Sequence, residues 1–89
     1  MQVKLHPIPR KYLERLNEPY QGNIEEALDG LEKEPPEGNI RPVTGQPGLF
    51  RLTVGSYRVL FRYTDDYIFV THIDPRGQAY NKKNKGGKR

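Results

Sequence analysis

The sequence predicts an α+β domain in which two N-terminal helices pack on one face of a small antiparallel four-stranded sheet. A short strand-like segment is followed by two amphipathic helical segments, and then by three strand-like segments joined by tight turns. A chain of 89 residues is long enough for one such domain. Residues 1–81 are expected to form the domain, and residues 82–89 a basic disordered tail with five positive charges and two glycines.

The first strand is predicted at residues 2–6, where apolar and polar residues alternate. Pro7 and Pro9 end this strand, and Pro9 suits the first turn of a helix because its missing N–H costs little there. The first helix is therefore predicted at residues 10–16, with the apolar residues at helical spacing.

The second helix is predicted to begin after a break at residues 17–22, with Asn23 as its N-cap. Its apolar stripe consists of Ile24, Ala27, Leu28 and Leu31, at the spacing of one helical face. The pair Pro35 and Pro36 ends it. Residues 37–48 are rich in proline and glycine and are expected to form a polar connection past the sheet edge.

Three strands are predicted at residues 49–54, 57–63 and 67–73, and the short turns between them indicate an antiparallel meander. The last of these strands is apolar on both faces, so it is expected in the interior of the sheet. Alternation assigns five residues to the face that the helices cover, namely Phe50, Leu52, Val54, Val59 and Phe61. Arg51, Arg58 and Arg62 fall on the opposite, open face, and three arginines there suit an anionic ligand.

Charge is distributed unevenly along the chain. Residues 1–40 carry five Lys/Arg and eight Asp/Glu, a net charge of −3, whereas residues 41–89 carry ten Lys/Arg and three Asp, a net charge of +7. This asymmetry favours a surface for a polyanion such as nucleic acid, built from the second half. The alternative is that the basic charge serves solubility alone.

Composition narrows the class of protein further. The absence of cysteine excludes disulfides and thiolate chemistry. No apolar run reaches the roughly 18 residues of a membrane-spanning helix, and the N-terminus lacks the apolar stretch of a signal peptide. We therefore expect a soluble cytoplasmic protein with no membrane association. Because only 34% of the residues are hydrophobic, stabilisation by a partner is also expected.

Three segments, in this order, carry a resemblance to a known family. They are Leu49-Phe-Arg-Leu-Thr-Val-Gly-Ser-Tyr-Arg-Val-Leu-Phe-Arg-Tyr63, His72-Ile73 and Arg76-Gly-Gln-Ala-Tyr80. The chain resembles the RelE/ParE toxin superfamily, and within it the RelE-like mRNA interferases of type II toxin–antitoxin systems. The resemblance implies a RelE-like, microbial ribonuclease-type fold.

The resemblance also implies an activity and partners. Such a toxin is an endoribonuclease that needs no metal or other cofactor and cleaves mRNA in the ribosomal A site, which inhibits translation. The ribose 2′-hydroxyl attacks the adjacent phosphate and leaves a 2′,3′-cyclic phosphate. The expected partners are the ribosome, mRNA and a cognate antitoxin protein, the last in a complex that could be hetero-oligomeric.

Matching positions assign catalytic roles to Arg51, Arg58, Arg76 and Tyr80. Tyr80 could accept a proton only if neighbouring cations lower its pKa from about 10, and Arg58 and Arg76 are the candidates. Further RNA contacts are expected from Arg62, His72, Lys82, Lys83 and Lys85.

Two departures from the family pattern keep other functions open. Thr53 stands where some relatives carry a lysine, and the segment between Ile73 and Arg76 is short, so that a second basic residue seen there in some relatives is missing. One alternative is a ParE-like inhibitor of DNA gyrase that is not a nuclease. Another is an RNA-binding module without catalysis.

Several of these residues also have a purely structural interpretation. Arg58 could pair with Asp74, and Arg62 with Asp65 or Asp66, while Tyr80 could anchor the tail by packing its ring. His72 alternates with apolar residues on both sides, so the sequence leaves its face open. On the open face it could act in proton transfer, and on the covered face it would be a core histidine.

Overall fold

The structure is a computed structural model that describes residues 1–75. Its elements in chain order are β1 (Gln2–Leu5), α1 (Pro7–Arg15), α2 (Tyr20–Leu31), β2 (Asn39–Pro42), β3 (Leu49–Val54), β4 (Tyr57–Tyr63) and β5 (Tyr67–Pro75). The sheet order is β1-β5-β4-β3-β2, with both helices on one side. This arrangement confirms the predicted α+β class. Within residues 1–75, neither helix has the length and apolar character required to cross a bilayer.

The sheet differs from the prediction in strand number and direction. Within residues 1–75 it has five strands, because β2 lies inside the segment predicted as a connection and pairs antiparallel with β3. Pro42 is tolerated there since β2 is an edge strand, where one side needs no donor. The sheet is mixed, because β1 runs parallel to β5. Alternating apolar residues look the same in parallel and antiparallel strands, so the sequence pattern does not reveal this direction.

Helix α1 begins at Pro7, three residues before the predicted start. Both Pro7 and Pro9 fit in the first turn, where a missing N–H leaves no intrahelical bond unmade. His6 precedes the helix, and its Nδ1 accepts a hydrogen bond from the Ile8 N–H at 3.2 Å. The proline pair therefore starts the helix rather than delaying it.

Helix α2 begins at Tyr20, so the prediction of Asn23 as N-cap is wrong. Glu18 makes the earlier start possible, because its Oε1 accepts a hydrogen bond from the Gly22 N–H at 2.9 Å. This carboxylate satisfies one first-turn donor and lies at the positive end of the helix dipole. Gly22 leaves room for the contact, since a Cβ there would lie 2.7 Å from the same oxygen.

The core lies between the two helices and one face of the sheet. Its buried residues are Leu13, Ile24, Leu28 and Leu31 from the helices and Leu52, Val59, Phe61, Ile68, Val70 and Ile73 from the sheet. Phe50 and Val54 are partly buried against this cluster. All five strand residues that alternation assigned to the covered face therefore lie on it. Each fully buried aliphatic or aromatic side chain contributes about 1.5–3 kcal/mol.

A β-bulge interrupts strand β5. Leu60 of β4 lies opposite His72, whereas the next residue, Phe61, lies opposite Val70, so Thr71 is an extra residue in β5. Strict alternation would place His72 on the same face as the buried Val70. The bulge reverses this alternation, so that Ile73 enters the core and His72 lies on the opposite face.

Strand β5 is interior, as predicted, with β1 on one side and β4 on the other. It ends at Pro75 rather than at residue 73, since Asp74 lies opposite Arg58 and Pro75 opposite Tyr57. The two additional residues lengthen the pairing of β4 and β5 and bring a carboxylate beside the arginines of the open face.

Candidate functional site

The face of the sheet away from the helices carries rows of cross-strand neighbours. One row consists of Arg41 on β2, Arg51 on β3, Leu60 on β4 and His72 on β5. Directly opposed residues lie on the same face with their Cβ atoms roughly 5 Å apart. His72 is exposed in this row, so the open face is the one it occupies.

The rows on either side complete the cluster. Arg58 lies between Thr53 and Asp74 in one row, and Arg62 lies beside Leu49 in the other. Both arginines are two positions from Leu60 on β4, a separation of roughly 6–7 Å along the strand. Leu60 is therefore surrounded on the open face by four basic side chains, which we call the arginine cluster, namely Arg51, Arg58, Arg62 and His72. The three arginines share the face that their spacing predicts.

None of these three arginines forms an ion pair with a carboxylate of residues 1–75. Among residues 1–75 the ion pairs join the α-amino group of Met1 to Glu34 at 3.4 Å and Lys33 to Glu37 at 3.3 Å. Asp74 lies opposite Arg58 in the strand register, yet no ion pair within 4.0 Å joins them. Thus, within this part of the chain, the structural interpretation of Arg58 and Arg62 as salt-bridge partners has no support.

Two of the arginines also carry a buried hydrogen-bond donor. The Nε atoms of Arg51 and Arg58 are buried and have no hydrogen-bond partner among residues 1–75. A buried donor left without an acceptor costs about 1–3 kcal/mol. Sites with such a cost commonly have a role other than stability, and an oxyanion supplies the acceptors that a guanidinium requires.

Arg41 belongs to the same surface, although sequence reasoning assigned it no function. It is exposed and lies directly opposite Arg51, a repulsive arrangement of like charges. The only sequence signal was the alternation of Ile40 and Arg41, which is too short to indicate a strand between proline and glycine residues. The pairing of β2 with β3 is what brings Arg41 to the cluster.

The remaining predicted site residues lie outside the described part of the chain, namely Arg76, Tyr80, Lys82, Lys83 and Lys85. Their roles stay predictions, as does the boundary between a domain at 1–81 and a tail at 82–89. Within residues 1–75, His, Asp and Glu side chains form no group of three that could hold a metal ion.

A tyrosine beside the end of β5 has a perturbed pKa. Burial raises the pKa of Tyr12 above its ordinary value, and the neighbouring charges of Tyr57 and Asp74 raise it further. Tyr12 belongs to α1 and packs against the core, so this shift lies on the helix side of the sheet and not in the arginine cluster.

Comparison with known proteins identifies the family. The family model for the ParE toxin of the type II toxin–antitoxin system parDE matches residues 3–80. No curated protein sequence is similar enough to be counted as a match.

Solved structures give a consistent result. The archaeal RelE–RelB complex from Pyrococcus horikoshii OT3 matches with 30% identity and a TM-score of 0.69, over 86% of this chain and 96% of that chain. The toxin–antitoxin complex RelBE2 from Mycobacterium tuberculosis has 23% identity and a TM-score of 0.70, over 84% of this chain and 96% of that chain. A mutant of E. coli toxin RelE in the free state has 18% identity and a TM-score of 0.65, over 97% and 96% of the two chains.

The resemblance inferred from the three sequence segments is thereby confirmed, and the last two structures support it at the level of the fold. The family model covers nearly the whole chain, including both helices and, apart from Gln2, every strand of the part that the structure describes. This chain belongs to the RelE/ParE toxin family of type II toxin–antitoxin systems.

Proposed function

We propose that this toxin is a ribosome-dependent endoribonuclease that cleaves mRNA in the A site. The observation that carries the proposal is the arginine cluster, whose three guanidinium groups have no carboxylate partner among residues 1–75. The unsatisfied Nε donors of Arg51 and Arg58 support it, because a phosphate group offers acceptors to a guanidinium. The relative with 30% identity is a RelE protein.

The proposed reaction is an internal transfer at phosphorus. The ribose 2′-oxygen forms a bond to the phosphorus of the adjacent 3′ phosphate, and the bond from phosphorus to the 5′-oxygen of the next nucleotide breaks. One proton leaves the 2′-hydroxyl for a base, and one proton reaches the departing 5′-oxygen from an acid. The products are a 2′,3′-cyclic phosphate and a 5′-hydroxyl.

The cluster would supply charge stabilisation for this reaction. Arg51 and Arg58 would bind the non-bridging oxygens, on which negative charge grows as phosphorus becomes pentacoordinate. Tyr80 would accept the 2′-proton, with Arg76 lowering its pKa. The surrounding basic residues, Arg62, His72, Lys82, Lys83 and Lys85, would bind the RNA backbone.

A cognate antitoxin is the proposed protein partner. The P. horikoshii relative was solved as a complex of RelE with RelB. An acidic segment would suit the arginine cluster, and its carboxylates would occupy the positions proposed for phosphates. Because the substrate is on the ribosome, we place this activity in the cytoplasm.

The test is cleavage of a defined mRNA by the purified, folded protein, with and without programmed ribosomes, mapped at single-nucleotide resolution. We expect cuts only with ribosomes, inside the A-site codon and ending in a cyclic phosphate. Tyr80→Phe should reduce the rate by orders of magnitude, because it removes the proton acceptor. Absence of cuts from folded protein would contradict the proposal.

Inhibition of DNA gyrase is the second candidate function. It is favoured by the family model, which is that of the ParE toxin, and by Thr53 at a position where some nucleases carry a lysine. A supercoiling assay with purified gyrase distinguishes the two functions. Inhibition together with intact mRNA on ribosomes would favour the gyrase inhibitor, whereas active gyrase and cleaved mRNA would favour the nuclease.

A further inference from the structure

A second group of side chains lies on the open face, next to the arginine cluster. We call it the aromatic patch, and it consists of Lys4, His6, Tyr67 and Phe69. The rings of Tyr67 and Phe69 meet edge to face with centroids 6.1 Å apart, and the His6 ring lies 6.1 Å from Phe69 on its other side. The ammonium group of Lys4 lies 4.7 Å from the centre of the Tyr67 ring.

The aromatic patch is continuous with the arginine cluster. Arg62 lies directly opposite Phe69, which lies directly opposite Lys4 on β1. Neighbouring strands are about 4.8 Å apart, so Phe69 has a cation on each side within reach of one nucleotide. An RNA backbone lying on the arginine cluster would therefore bring a base over this ring.

The aromatic residues do not serve the core of the domain. Neither Tyr67 nor Phe69 belongs to the core cluster or to the partly buried side chains packed against it. Both are partly exposed, and the helices cover the opposite face. A group of aromatic rings on a charged surface is a typical feature of sites that bind single-stranded nucleic acid, where bases stack on rings and cations bind phosphates.

We propose that the aromatic patch binds an unpaired nucleobase of RNA, which contacts the Phe69 ring and takes the place of the Lys4 ammonium group over the adjacent Tyr67 ring. The displaced ammonium group is then available to a phosphate on that side, while Arg62 binds one on the other. Stacking of this kind tolerates any base, because every base has a π face. The inference rests on the proposed function for the choice of RNA as ligand, but not on cleavage.

The experiment measures the affinity of the full chain for a fluorescent single-stranded RNA nonamer and for an abasic strand of the same length, at several salt concentrations. Phe69→Leu and Tyr67→Leu should each weaken binding of the nonamer about tenfold and leave abasic binding unchanged. Arg62→Gln should weaken both ligands and lower the salt slope by about 0.7.

Tyr20→Leu is the matched control, because Tyr20 is an equally large exposed ring on the helix side of the sheet. It should leave the affinity for both ligands unchanged. If Phe69→Leu does not fold, Tyr67→Leu provides the test. Equal loss of affinity for both ligands, or no loss, in the folded ring variants Phe69→Leu and Tyr67→Leu would overturn the proposal.

A photocrosslinking amino acid at position 67 identifies the source of the base on programmed ribosomes. An adduct with mRNA or with rRNA supports the proposal and distinguishes the two sources. Adducts with ribosomal protein alone would overturn it, as would a loss of antitoxin binding in the patch variants without a loss of RNA binding. Base-dependent RNA binding by a protein that does not cleave mRNA would support this proposal and refute the nuclease function. Cleavage of mRNA by a protein whose RNA binding does not depend on the base would support the nuclease function and refute this proposal.

Discussion

The two faces of the sheet differ in composition and in their effect on the stability of the fold. On the covered face, Val59, Phe61, Ile68 and Val70 are fully buried, and no buried polar or charged residue accompanies them in the described part of the chain. On the open face, strands β3 and β4 carry guanidinium groups, two of which have buried donors without partners among residues 1–75. The first face lowers the free energy of the folded chain, whereas the second raises it.

Side chains that stabilise the fold and side chains that can bind a ligand alternate along the same strand and therefore lie on opposite faces of the sheet. Arg58 and Val59 are adjacent in sequence, yet one faces a ligand surface and the other the core. A single substitution can therefore change one property and leave the other nearly intact. The predictions below test that separation, from the largest expected effect to the smallest.

Phe61→Ala should remove the largest fully buried side chain of the covered face. We expect the free energy of unfolding to fall by about 3–5 kcal/mol, because a cavity remains where the ring packed. Urea denaturation measures the loss. Arg62→Ala, at the next position on the open face, should change stability by no more than about 0.5 kcal/mol. Similar losses in the two variants would refute the separation.

Arg58→Ala should lower mRNA cleavage on programmed ribosomes about 10²–10³-fold, because one donor to the phosphate oxygens is lost. Circular dichroism should show that the variant folds. Arg10→Ala is the control, since Arg10 is exposed on α1 and on the opposite side of the sheet. An unchanged rate in Arg58→Ala would remove this residue from the proposed site.

Deletion of Thr71 should remove the bulge and restore strict alternation in β5. His72 would then follow Val70 directly and keep its place on the open face, and Ile73 would keep its place in the core. Thermal unfolding should therefore show a change in Tm of about 4 °C or less. Thr71→Ser keeps the extra residue and should leave the Tm nearly unchanged, whereas a decrease of about 10 °C or more on deletion would show that the packing of β5 requires the bulge.

Arg51→Met should stabilise the protein by about 1 kcal/mol while it weakens RNA cleavage. The substitution keeps an unbranched side chain but removes the unsatisfied Nε donor and the repulsion from Arg41 opposite. Chemical denaturation and the ribosome assay measure the two effects. A loss of stability would mean that the guanidinium has a structural role after all.

Tyr12→Phe should remove a small dependence of stability on pH. The pKa of Tyr12 is raised in the folded state, so above the ordinary value near 10 the unfolded chain loses its phenolic proton first. Stability is therefore complete below pH 10 and falls as the pH rises toward the folded-state pKa. Unfolding at pH 9 and pH 11 should show a smaller decrease in the variant than in the natural chain. An equal decrease would exclude a contribution from Tyr12.

Much of the fold could be predicted because the strong periodic patterns are local. The alternation around Arg51, Arg58 and Arg62 assigned each arginine to the open face, and the apolar stripe of α2 identified the helix that covers the other face. Element starts were less predictable. The contact of Glu18 with Gly22 begins α2 three residues before the expected N-cap, and such capping depends on a side-chain rotamer.

Some features depend on partners far along the chain. Strand β2 exists because it pairs with β3, since a four-residue segment ending in proline has little strand preference of its own. The face of His72 depends on the bulge, whose single extra residue is recognised only from the register with β4. The pairing of β2 with β3 likewise brings Arg41 beside Arg51, and the pairing of β1 with β5 brings Lys4 of the aromatic patch beside Phe69.

The sequence by itself determined the α+β class, the two-faced strands and the toxin family, because each depends on composition, periodicity or local motifs. Only the tertiary structure decided the fifth strand, the parallel direction of β1, the face of His72 and the continuity of the arginine cluster with the aromatic patch. These features depend on hydrogen-bond register between distant segments, and the free energy of a register belongs to the pair of strands rather than to either one.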